Sequence, residues 1–275
     1  MPLLEITKEV IKNYQEDRFL LKNHSEYSIV MDLMNKHSVK LLEDLVDTYI
    51  CSNPSCSHLY RNFYQDISEF HEIDYRKDGI NMGSVIKQKT RLIRHQRQLQ
   101  LLQNFIKPQQ TCLDVASGKG FALLVFKEYF NKVTGVDIDL KVVEHNKKIN
   151  PEIEVLHNSF MKIDENKSFD VIIASDVLEH IEETNNFVEH AHKIVNDHVV
   201  IQVPIERPLI PPNYDLITNK KPHHQKFDGH LHYFTKNSLT NLFTKNNLFK
   251  LSFYYETVPG EVAGAKEALA VYTKL

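Results

Sequence analysis

TCLDVASGKG, residues Thr111–Gly120, together with GVDID, residues Gly135–Asp139, decides how this chain is read. The first stretch sets a short apolar strand, a carboxylate and two close glycines ahead of a helical pattern. The second ends another strand in a carboxylate, Asp137, seventeen residues past Gly120. This is the layout of a pocket for a nucleoside-containing cofactor on a parallel sheet. The glycine spacing narrows the choice of ligand. A dinucleotide fingerprint requires a third glycine or alanine where Leu123 stands. A phosphate loop of the form GxxxxGK[ST] requires glycine at Leu113 and a hydroxyl residue at Gly120. Both phosphate readings are weak.

Outward from this stretch, short apolar runs alternate with amphipathic helices. Strands are expected at 111–116, 132–137, 153–157, 169–175 and 198–203, with helices at 121–130, 139–149 and 184–195. Such alternation argues for a parallel sheet covered on both faces. A proline- and histidine-rich segment, 204–234, interrupts the pattern. Helix 236–246 follows, then strands 248–257 and 267–274, joined by the short connection PGEVAGAKE and expected to form an antiparallel hairpin.

The N-terminal part reads differently. Residues 1–50 carry apolar residues at helical spacing: Leu3, Ile6 and Val10, then Val30, Leu33, Met34, Leu41, Leu42, Leu45 and Val46. Residues 51–83 are rich in turn formers, and 84–106 look helical up to Pro108. The organisation expected is a helical extension and lid over 1–107, then a cofactor domain over 108–275 whose 204–234 insertion covers the acceptor.

Composition excludes several classes. The 33 basic and 36 acidic side chains leave a net charge of −3, which gives no support for a nucleic-acid binder. No apolar run approaches the ~20 residues of a membrane span, and MPLLEITKEV lacks a signal-peptide pattern. Three cysteines, Cys51, Cys56 and Cys112, make no disulfide framework, so a reducing cytoplasm is the default location. A homodimer is left open.

LDVASGKG resembles the first motif, LDxGxGxG, of class I S-adenosylmethionine-dependent methyltransferases of the small-molecule type. HNSFMKIDENKSFDVIIASDVLEHI, from His157, is similar to the third and fourth motifs. HLHYFTKNSLTNLFTKNNLF, 230–249, looks like the helix before the last hairpin. The resemblance covers about 111–275. It implies a Rossmann-like α/β fold with a seven-stranded, mostly parallel sheet and an antiparallel C-terminal hairpin. It also implies S-adenosylmethionine as cofactor and a small-molecule acceptor. By resemblance, Asp114, Ala116, Ser117, Gly118 and Gly120 serve the methionine end, and Asp137 with Ile138 the ribose. Asn158, Ser159 and Phe160 lie beside the adenine, and Ser175 and Asp176 sit beneath the cofactor where the methyl points. The sequence departs from the family at Ala116 and Ser117, where glycine and a small residue or cysteine are common, and at Ser159, where aspartate is frequent.

Cys51, Cys56 and His58 resemble the second half of a zinc ribbon. The first knuckle is missing and the spacing is stretched, so no metal is assigned. The aromatics that follow, Tyr60, Phe63, Tyr64, Phe70 and Tyr75, are read as core, with Tyr75 over the sulfonium or in the acceptor pocket as the sharper alternative. The basic run Lys87, Lys89, Arg91, Arg94 and Arg97 is read as a solvated face, with a clamp for an anionic acceptor as the sharper alternative. His180 and His232 are candidates for the acceptor proton, since an imidazole near pKa 6.5 suits that task. For His180 a hydrogen-bonding structural role is the equal alternative. His230 and Tyr233 are placed with Tyr75 and Asp176 at the acceptor. The cluster His223, His224, Asp228, His230 and His232 also has metal-binding chemistry, but such loops are more often surface or substrate-contacting. Binding of cofactor or partner without catalysis is the competing class.

Overall fold

The computed structural model describes residues 46–50, 58–63, 82–205, 230–257 and 266–275. The chain divides into two compact units, one of 1–67 with 205–239 and one of 68–204 with 240–275. The expected helices before residue 46, and Cys51, Cys56, Tyr75, His223, His224 and Asp228, lie outside the described residues.

In the first unit, β1 (Val46–Ile50) pairs antiparallel with β2 (Leu59–Phe63), which pairs with the two-residue β8 (His232–Tyr233). This corrects the helix expected up to residue 50. Val46, Thr48 and Ile50 are β-branched and alternate, and Tyr49 is aromatic. Such residues favour a pleated strand once a partner is present. The helical spacing of Leu41, Leu42, Leu45 and Val46 does not carry into this segment.

The second unit holds a seven-stranded sheet in the order β5-β4-β3-β6-β7-β10-β9. Its parallel strands are β3 (Thr111–Val115), β4 (Lys132–Asp137), β5 (Glu154–His157), β6 (Phe169–Ser175) and β7 (Val195–Pro204). β9 (Phe249–Glu256) and β10 (Glu267–Lys274) form the expected hairpin. Here β10 runs antiparallel to β7 on one side and to β9 on the other, so β9 is the edge. The strands read as continuous apolar runs because both faces are covered. Leu113, Val171, Ile172, Ile173, Val200, Ile201 and Val271 are all buried.

The helices are α1 (Val85–Leu102), α2 (Phe121–Phe126), α3 (Leu140–Ile149), α4 (Thr184–Ile194) and α5 (Lys236–Thr244). α1, which the sequence assigned to the extension, belongs to the sheet's unit. Leu102 is in the core with Phe126, Phe130 and Val171, and Leu92, Leu99 and Leu101 pack against it. α2 is shorter than expected and buried at five of its six residues. It has no polar face to read because α1 covers the side turned away from the sheet.

Candidate functional site

The site forms where β3, β4 and β6 end. β3 leaves the sheet through Ala116-Ser117-Gly118-Lys119-Gly120, and three of these residues have left-handed backbone: Ala116 (φ 53°), Gly118 (φ 52°) and Gly120 (φ 78°). At Gly120 the requirement is steric as well, because an added Cβ would stand 2.0 Å from Asn146 Oδ1. At Ala116 a methyl group tolerates the left-handed region at a cost of about 1 kcal/mol. The residue is exposed and contributes no core packing. Ala116→Gly is therefore expected to raise the unfolding free energy by about 0.5 kcal/mol, relief of strain exceeding the added freedom of the unfolded chain. Chemical denaturation checks this; a loss of stability would mean the turn is not strained.

Asp137, at the end of β4, ties the loop to the next strand tip. Its Oδ2 accepts the Gly118 N–H at 2.9 Å and its Oδ1 accepts the Asp139 N–H at 2.9 Å. Asp139 caps α3 by accepting from the Lys141 N–H. Asp114 lies behind the loop with 3 % exposure. Burial first, and then the charge of Asp137, push its carboxyl up to about 8. Asp114 Oδ2 and Ser117 Oγ are buried and make no hydrogen bond among the described residues.

A cavity of about 340 Å³ opens in front of these groups. Its walls are Val115 at the end of β3, Ala116 from the loop, Val136, Asp137, Ile138 and Asp139 at and after the end of β4, Asn158 to Met161 after β5, and Asp176, Val177, His180 and Ile181 after β6. The structure thus gathers Ala116, Asp137, Ile138, Asn158, Ser159, Phe160, Asp176 and His180 around one space. Asp114, Ser117, Gly118 and Gly120 stand at or behind its loop wall. Ser175 does not line the cavity; its Oγ accepts from Gln98 of α1 at 2.9 Å. Sequence reasoning missed Val115, Val136, Asp139, Met161, Val177 and Ile181 as wall residues. Asp139 was detectable as the helix cap after GVD, whereas the five apolar residues carry no signal that separates a cavity wall from a core.

Asp176 has left-handed backbone (φ 56°) and is held by Arg94 of α1 through two hydrogen bonds of 2.6 and 2.7 Å. The same guanidinium pairs with Glu267 at the start of β10 at 3.1 Å, and Gln202 Nε2 also donates to Glu267. Burial acts against the Asp176 charge, but Arg94 overrides it and keeps the carboxyl below its ordinary range. Burial holds Glu267 above its ordinary value. Arg94 is thus engaged by two carboxylates, which corrects its inclusion in a clamp for an anionic acceptor. Nearby, burial lowers His95 to about 4, so its ring is neutral, and it bonds Gln98.

His230, His232 and Tyr233 belong to the first unit. His232 is buried, with Nδ1 3.0 Å from His58 Nε2 and the two rings stacked. Burial and then His232 depress His58 to about 3, so His58 is neutral and shares a proton-bearing contact with its neighbour.

Residues 86–252 match the methyltransferase-domain family, which is more than half of the chain. The chain belongs to this family. A ribosomal protein L11 methyltransferase of Caldicellulosiruptor bescii is 37% identical over 84 residues, covering 29% of this chain. The chain spans only 27% of that relative's length. Among solved structures, magnesium protoporphyrin IX methyltransferase from Synechocystis superposes with a TM-score of 0.53 at 14% identity, covering 76% of this chain and 97% of its own. The Burkholderia thailandensis 1,6-didemethyltoxoflavin-N1-methyltransferase gives 0.51 at 17% identity, over 76% of this chain and 84% of its own. These likenesses establish the methyltransferase fold, a mixed α/β sheet with antiparallel C-terminal strands. They do not bear on the zinc-ribbon resemblance of the N-terminal part. No described helix is long and apolar enough to cross a membrane.

Proposed function

We propose that the protein is an S-adenosylmethionine-dependent methyltransferase acting on a small-molecule acceptor, with transfer to oxygen favoured, in the cytoplasm. The observation that carries this reading is the charge of the cavity wall. Among the described residues it contains Asp137, Asp139 and Asp176 and no lysine or arginine. Such a wall repels phosphates and suits a ligand that carries a sulfonium and an ammonium. The buried, unpartnered Asp114 Oδ2 and Ser117 Oγ fit the polar amino-acid end of that cofactor.

When bound, the cofactor supplies an electrophilic methyl carbon. The chain's own contribution is placement. Asp137 fixes the loop, and its carboxylate, at the cavity wall, is the acceptor for the ribose hydroxyls. Asn158, Ser159, Phe160 and Met161 flank the adenine end. Asp176 orients the acceptor, His180 takes its proton, and Val177 and Ile181 keep water from the reacting atoms.

Calorimetry with S-adenosylmethionine and S-adenosylhomocysteine tests the reading; a folded sample that binds neither sinks it. Binding has a further expected signature. A cationic group beside Asp114 favours its ionised form, so binding releases the proton that the ligand-free protein holds up to about pH 8. Affinity for S-adenosylmethionine therefore falls as the pH drops below 8, by at most about tenfold per pH unit. Asp114→Asn flattens that dependence. An equally steep dependence in this variant would place the proton elsewhere.

A further inference from the structure

Asn146 is three-quarters of the way along α3, is fully buried and does not line the cavity. Its Nδ2 donates to the Val142 carbonyl on its own helix at 3.0 Å and to the Gly118 carbonyl in the loop at 2.7 Å. Its Oδ1 occupies the space in which a Cβ at Gly120 would stand, 2.0 Å from that position. Asn150, one turn on, is also fully buried, and its Nδ2 lies 3.3 Å from the same position. The Gly118 N–H is meanwhile held by Asp137. The peptide groups of Gly118 are thus fixed from two sides, at the nitrogen by the strand tip and at the oxygen by the helix behind.

We propose that Asn146 is the positioning residue of the cofactor loop, setting the backbone of Gly118 and Gly120 from behind without touching the ligand. The proposal rests on the cofactor reading above. Two physical consequences separate it from a general packing role. Removing the amide frees the Gly118 carbonyl, so the loop loses its anchor to α3 while its bonds to Asp137 and to the Val136 carbonyl remain. The same change removes the steric part of the cost of a side chain at Gly120, leaving that of its left-handed backbone, so the two positions are energetically coupled although far apart in sequence.

The test uses the full chain and S-adenosylhomocysteine as probe. Asn146→Ala is expected to weaken binding by about tenfold, the effect of one lost anchoring hydrogen bond. As a comparison, Phe243→Leu disturbs a buried ring stacked on Tyr272, away from the cavity, and is expected to leave affinity within about twofold. Thermal midpoints complete the cycle: Gly120→Ala is expected to cost much less in the Asn146→Ala background than in the natural sequence. Should Asn146→Ala fail to fold, Asn146→Ser carries both measurements, since its short hydroxyl does not reach Gly118. Natural protein that binds while the Asn146 variants bind as well overturns the proposal alone, as does an equal cost of Gly120→Ala in both backgrounds. Natural protein that does not bind overturns the cofactor reading and the loop's role with it.

Discussion

Arg94→Ala is expected to destabilise the protein by about 2–4 kcal/mol, the usual consequence of removing one partner from a buried ion-pair cluster. The guanidinium is 14% exposed and bonds two carboxylates that come from distant parts of the chain, Asp176 after β6 and Glu267 at the start of β10. Most of the cost falls on Glu267, whose side chain is 13% exposed and already held above its ordinary pKa by burial. Asp176 is 44% exposed, so water replaces part of what Arg94 supplied. Arg94→Lys keeps the charge but not the planar fork, and is expected to recover about half of the loss. Denaturant unfolding reads both variants as a shift in midpoint at unchanged slope. Two variants as stable as the natural protein would show that the cluster is replaceable by solvent. The change also reaches the cavity, because Asp176, a wall residue, loses the two hydrogen bonds that fix its carboxylate.

Asp137→Ala is expected to weaken S-adenosylmethionine binding by about tenfold or more. The carboxylate accepts the N–H groups of Gly118 and Asp139, so its removal leaves two donors without their partner and slackens the loop as well as removing the ribose contact. Asp137→Asn keeps one acceptor oxygen and is expected to fall between the two. A second effect runs in the opposite direction. Asp137's charge helps raise Asp114, so without it Asp114 ionises at lower pH. The pH dependence of binding in Asp137→Ala therefore moves to lower pH. Unchanged affinity by calorimetry would refute the ribose contact; an unchanged pH profile would separate Asp114 from Asp137.

The sheet was legible in the sequence because buried parallel strands are short apolar runs with little else to mimic them, and Thr111–Val115, Lys132–Asp137 and Phe169–Ser175 all fall where that pattern puts them. The cavity's loop was legible for a related reason: glycines and acids at strand tips are local signals. What was not legible depends on partners far along the chain. Arg94 sits in a basic run that reads as a solvated face or an anion clamp, and only the approach of residues 82 and 173 positions away turns it inward. Asn146 reads as one more polar residue on an amphipathic helix until the loop is laid against it. Val46–Ile50 satisfied a helical period as well as a strand period, and the pairing with Leu59–Phe63 decided between them.

The position of β10 has a bearing on how the molecule is made. Because Glu267–Lys274 lies between β7 and β9, the sheet cannot close until Lys274 has left the ribosome. Until then β7, a strand whose Val199, Val200, Ile201 and Val203 are all buried in the finished fold, presents an open apolar edge. A nascent chain of this protein carries that open edge from the synthesis of β7 until Glu267–Lys274 has followed it, and β9 cannot shield it without β10. Slow translation between β7 and β10 would thus prolong the time in which this edge is open to pairing with another chain.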